Sequence, residues 1–162
     1  MPTTRKETSP KPTPRAKEAT ALLRADHKEV DALFDAFEEA KSNLKKKDIV
    51  AQICTALTVH AQIEEEIFYP AFKAAVKDKE LIPEATVEHQ TLKDLIAQIK
   101  DVEPDGEIYD AKVKVLSEYV KHHVKEEQNE IFPKAKEAKK LDLVALGTQL
   151  AQRKAELMAQ LV

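Results

Sequence analysis

His60-Ala61-Gln62-Ile63-Glu64-Glu65-Glu66-Ile67-Phe68-Tyr69-Pro70 and His123-Val124-Lys125-Glu126-Glu127-Gln128-Asn129-Glu130-Ile131-Phe132-Pro133 are two copies of one pattern. Aligned on the prolines, each ten residues past a histidine, they superpose Glu64 on Glu127 and Phe68-Tyr69 on Ile131-Phe132. Residues four apart lie on one face of a helix, so each copy aims an imidazole and a carboxylate at the same spot. A helix offers two ligands to one metal site in this way.

Outward from these copies the chain reads as amphipathic helices. A first helix is expected from about Thr20 to Asn43, with Leu23, Val30, Phe34 and Phe37 three or four apart and His27 in their stripe. Asp48 is a plausible N-cap for a second, whose stripe is Ile49, Ile53, Ala56, His60, Ile63 and Ile67. A third, from Ile82 or Pro83 to about Asp101, carries Ile82, Ala85, His89, Leu92, Ile96 and Ile99, and the turn Glu103-Pro104-Asp105-Gly106 ends it. The fourth starts near Glu107 with Val113, Leu116, Val120, His123, Glu127 and Ile131 on one side. His122 shares a face with Glu118, Lys125, Glu126 and Asn129, which is a solvent-like face. A fifth amphipathic segment, Leu141 to Leu161, is expected to cover the bundle or to pair with another chain as a homodimer.

Pro70 interrupts an otherwise helical pattern, so a kink or break is expected there. Level also demands one. About twenty residues separate His60 from the turn near residue 80 but only about eight lead from it to His89, a mismatch of roughly 18 Å at 1.5 Å per residue. The chain is therefore expected to bend off the bundle axis after Pro70, with residues 71 to 80 outside the core.

Composition agrees with an all-α fold: only two glycines occur in 162 residues, too few for the tight turns of a β-rich protein. Four of the eight prolines fall in residues 1–18, a composition expected to form an extended or disordered tail before a bundle of residues 19–138 and a terminal helix of residues 139–162. A net charge of −3 with interspersed signs argues against nucleic acid as a partner. The lone cysteine, Cys54, the lack of an apolar leader and the lack of a long apolar run point to a cytoplasmic protein away from membranes.

Four of the five histidines lie on apolar stripes, one on each of four helices, and two bring a glutamate one turn later. A buried ionised glutamate costs several kcal/mol unless neutralised, and no lysine or arginine recurs on these stripes. Metal would neutralise both glutamates. Four imidazoles and two carboxylates suit a borderline transition metal rather than calcium or magnesium, and are too many for one tetrahedral zinc. They suit two metals about 3.5 to 4 Å apart bridged by both carboxylates, with di-iron the leading choice and zinc or manganese able to substitute.

These residues resemble the hemerythrin-like (HHE) cation-binding domain. The likeness is carried by His27, by His60 and Glu64 followed by Glu65 and Phe68-Tyr69-Pro70, by Glu88-His89, and by His123 and Glu127 before Ile131-Phe132-Pro133, over roughly residues 20 to 137. It implies an up-and-down four-helix bundle around a non-haem di-iron centre that in relatives binds oxygen reversibly or senses oxygen, iron or nitric oxide. The ferritin-like alternative uses Glu-x-x-His motifs, which this chain lacks. One departure stands out: oxygen carriers have two histidines a turn apart on the third helix, whereas His89 has Ala85 and Lys93 at those positions. The histidine count falls from five to four unless His122 or a nearby side chain joins.

The resulting expectation is a metal-binding protein with His27, His60, His89 and His123 as terminal ligands, Glu64 and Glu127 as bridges, and an oxo or hydroxo group between two irons. Walls of Phe34, Leu92, Ile96 and Leu116 would admit oxygen or another diatomic gas more readily than a charged substrate. The rivals are a peroxide-handling or oxidase enzyme at the same centre and a metal-loaded partner-binding module.

Overall fold

The computed structural model describes residues 17–161, and these form five helices: α1 (Ala19–Glu39), α2 (Asn43–Ile63, continued through Glu64–Phe68 into Tyr69–Ala75), α3 (Leu81–Ile99), α4 (Glu107–Glu126, continued through Glu127–Ile131 into Phe132–Glu137) and α5 (Leu143–Gln160). No strand occurs among the described residues, so the fold is all-α. Most of the tail, residues 1–16, lies outside them. Its expected last residue is structural: Glu18 caps α1, its Oε1 accepting the Ala21 N–H at 2.5 Å.

α1 to α4 run alternately up and down, which the two apolar clusters show. One contains Leu22 and Leu23 of α1, Phe68 and Phe72 of α2, Ile82 and Ala85 of α3, and Phe132 and Ala135 of α4. The other contains Phe34 and Phe37, Ile49 and Ile53, Leu92 and Ile96, and Leu116 and Val120. Each of the four helices passes from one cluster to the other close to its histidine. Phe68, Phe72 and Phe132 are fully buried, each contributing about 1.5 to 3 kcal/mol relative to exposure.

α5 lies against α1 and α2, with Leu146, Leu150 and Leu157 buried in the first cluster. These three leucines thus cover the bundle, while Leu161, at the end of the stripe, is 51% exposed. Gly147 permits the approach, because a Cβ there would stand 2.1 Å from the Lys17 carbonyl oxygen.

Three boundaries differ from expectation. α1 ends at Glu39, and α2 is capped by Ser42 rather than Asp48, Ser42 Oγ accepting the Lys45 N–H at 3.2 Å. The polar Lys45-Lys46-Lys47 run masks a helical first turn. Neither Pro70 nor Pro133 breaks its helix. Each follows one π-turn, in which the N–H of Tyr69 bonds Glu64 O and that of Phe132 bonds Glu127 O, and the extra residue makes room for the proline ring. α2 then stops at Ala75, and Phe72 is fully buried, so residues 71 to 80 are not all outside the core.

Candidate metal centre

Between the two apolar clusters lies a polar layer of His27, His60, Glu64, His89, His123 and Glu127, none more than 7% exposed. Helix phase puts them there. His123 follows Val120 on the buried face of α4, whereas the neighbouring His122 side chain is 68% exposed. The π-turn of α4 begins at Glu127 and so leaves the register at His123 undisturbed.

The histidines form two pairs. Nε2 of His27 and His60 are 3.2 Å apart, as are Nε2 of His89 and His123. The glutamates join the pairs. Glu127 Oε1 is 3.1 Å from His27 Nε2, while its Oε2 is 3.5 Å from His123 Nε2. Glu64 Oε1 is 3.0 Å from His60 Nε2 and 3.4 Å from His89 Nε2. Both carboxylates therefore span from one histidine pair to the other, as bridging ligands would.

Three histidines are oriented by partners on Nδ1: His27 by the Gln128 side-chain amide at 3.0 Å, His60 by Asp26 at 2.9 Å and His123 by Glu88 at 3.2 Å. All three contacts fix the ring, and the carboxylates on His60 and His123 raise its basicity toward a metal. They also extend the repeat. Asp26-His27 on α1 and Glu88-His89 on α3 are the same acid-histidine pair, each acid holding the histidine of the next helix.

Sequence reasoning missed Tyr69. It lies five residues past Glu64, off the face by α-helical phase, and the π-turn returns it to the centre. Its hydroxyl donates to Glu127 Oε2 at 2.5 Å and lies 3.3 Å from His89 Nε2. The repeat held the signal, because its counterpart Phe132 stacks on His27 with ring centroids 5.8 Å apart and Tyr69 meets His89 at 5.3 Å. The side chain beside the lone third-helix histidine is thus a phenol.

Burial alone would lower His60, but the Glu64 charge and the Asp26, Glu127 and Glu64 contacts outweigh it and hold the imidazolium well above its ordinary range. Burial is likewise outweighed at His123, raised to about 10 by Glu127 and Glu88. Burial would raise Glu127, yet the neighbouring Glu64 carboxyl first, and then His123, His27 and His60, hold it well below the usual carboxylate range. Burial and the Glu127 and Glu64 charges push Tyr69 well above its ordinary value, so it keeps its proton. Without metal, protons balance the carboxylates.

That balance is incomplete. Neither oxygen of the fully buried Glu64 has a hydrogen bond, although two imidazole nitrogens face it. Buried polar groups are almost always satisfied, and cations held between Glu64 and the two histidine pairs would satisfy this one. His27-His60-Glu127 and Glu64-His89-His123 each bring ligand atoms within 4.8 Å of one another. The donor set fits a two-metal centre.

A cleft of about 310 Å³ reaches His27 between α1 and α4, with Phe34, Val120, Val124 and Gln128 within and Lys28, Lys121 and Lys125 at its rim. Of the four expected apolar walls, Phe34 lines it.

An all-α bundle with paired histidines and two carboxylates between them is the architecture of a cation-binding helical bundle. The chain belongs to the hemerythrin HHE cation binding domain family, whose model matches residues 18–135. Its fold is that of a hemerythrin HHE cation binding domain-containing protein of Mycobacterium kansasii, a crystal structure matched with a TM-score of 0.75 and 22% identity over 89% of each chain. It is also 30% identical, over 111 residues, to a protein of Nostoc sp. (strain PCC 7120 / SAG 25.82 / UTEX 2576) named DNA nickase; the match covers 68% of this chain and 31% of that one. No helix among the described residues is long and apolar enough to cross a membrane.

Proposed function

We propose that the protein holds two irons, with His27 and His60 on one, His89 and His123 on the other and Glu64 and Glu127 bridging them, and that it binds or senses oxygen or another small diatomic ligand in the cytoplasm. The observation that carries this is Glu64, fully buried, without a hydrogen bond on either oxygen and facing an imidazole from each pair. A di-iron pair would supply a redox-active centre with room for a small ligand. The protein's own residues exclude bulk water with two apolar clusters, orient the imidazoles and hold a proton on Tyr69 at the His89 side. The cleft at His27 gives a small molecule a route inward.

Tyr69 favours a second reading, a peroxide-handling enzyme at the same centre, because its hydroxyl is a buried proton donor within 3.3 Å of a proposed ligand. Reduced, iron-loaded protein should develop visible absorption when exposed to oxygen or nitric oxide. A protein that stays colourless would refute the gas-binding reading and leave metal storage or a structural role. Sustained turnover of peroxide, lost in Tyr69→Phe, would select the enzymatic reading. The nickase activity of the Nostoc relative is not carried over, since two-thirds of that protein has no counterpart here.

A further inference from the structure

The two halves of the centre differ in what stands behind the acid-histidine contact. In the first half, Asp26 Oδ2 accepts from His60 Nδ1 at 2.9 Å while Asp26 Oδ1 accepts from the Lys154 ammonium at 2.6 Å. Asp26 is buried, so water screens this ammonium little on its inner side. In the second half, Glu88 Oε1 faces His123 Nδ1 at 3.2 Å, and behind it stand the exposed imidazole of His122, 3.7 Å from Oε2, and a further carboxylate, Glu126. Among the described residues no lysine or arginine pairs with Glu88.

A carboxylate on the outer nitrogen of a ligating imidazole increases its donation to the metal. An ammonium on the other oxygen of that carboxylate draws the charge away. On the two-metal reading proposed above, we infer that Lys154 of α5 is a positioning residue that makes the two metal positions electronically unequal. The His27–His60 position is the more easily reduced, and the His89–His123 position, backed by an unneutralised Glu88, favours the more oxidised ion. The terminal helix is then part of the centre as well as its cover.

A purely structural role for Lys154, docking α5 onto α1, is separated by Arg153, which joins α5 to Glu66 at 2.7 Å without approaching Asp26. The experiment is stepwise one-electron reduction of fully iron-loaded protein, followed optically in a mediated cell. Lys154→Met should lower the potential of the first electron uptake and leave the second nearly unmoved, Lys154→Arg should restore it, and Arg153→Met should change neither. Glu88→Gln should raise the second potential, so the gap between steps narrows from opposite ends in the two variants. Where iron is lost from Lys154→Met, cobalt(II) titration of the metal-free variant reads the same asymmetry: one of two binding steps should tighten and the other stay. Unchanged potentials or binding steps, or an equal effect from Arg153→Met, would overturn the inference. Wild-type protein that takes up no pair of metals would instead refute the reading on which it rests.

Discussion

His123 and His122 are adjacent in sequence and opposite in fate, and helix phase alone separates them. His123→Ala should therefore lose metal while His122→Ala retains it, as metal content after anaerobic loading would show; the reverse would contradict the register of α4. Tyr69→Phe removes the donor to Glu127 Oε2 and should cost the metal-free protein about 1 to 3 kcal/mol, read in denaturant unfolding. The pH response of the metal-free protein has a definite sign. His123 binds its proton up to about pH 10 in the fold, against about 6.5 in an unfolded chain, so its contribution is full below about 6.5 and is lost as pH rises toward 10. The melting temperature of metal-free protein should fall from neutral to alkaline pH, whereas metal on the imidazole should flatten that dependence; equal profiles would count against protons in the ligand positions. At this scale the six polar residues were legible in the sequence, because histidine or glutamate on an apolar stripe is conspicuous. Tyr69 was not, since a tyrosine beside Phe68 passes for core and only a π-turn brings it to Glu127. Nor was Asp26, whose partner lies on another helix.

The element scale explains what periodicity conceals. The helices and their buried faces follow from three-and-four spacing, but the π-turns do not: proline announces a disturbance without saying whether the helix breaks or gains a residue. Both turns begin on the glutamate and close just before the proline. The repeat therefore specifies a backbone device that presents the carboxylate, together with the ligand set. The start of α2 was misread because its first turn is rich in lysine while its cap is an ordinary serine. Packing of α5 rests on Gly147, where a methyl group would meet the Lys17 carbonyl at 2.1 Å. Gly147→Ala should destabilise the protein by about 1 to 3 kcal/mol through overpacking, although alanine is the better helix former. A neutral or stabilising result in thermal unfolding would mean that α5 does not sit so tightly on α1.

Over the whole molecule, two apolar clusters are separated by a layer of four imidazoles and two carboxylates. Such a layer divides what could be one core, and without metal protons balance its charges only in part, leaving Glu64 unsatisfied. Metal binding should therefore be coupled to folding, and chelation should lower the melting temperature and loosen the helices. Unchanged melting after verified removal would argue against a buried site. The central claim, that this layer is a two-metal centre, is tested most directly by metal analysis of protein prepared without oxygen. The account expects two irons per chain in the wild type and loss of the pair in Glu64→Ala. Protein that takes up no metal when loaded with iron, or a single equivalent untouched by that substitution, would contradict it.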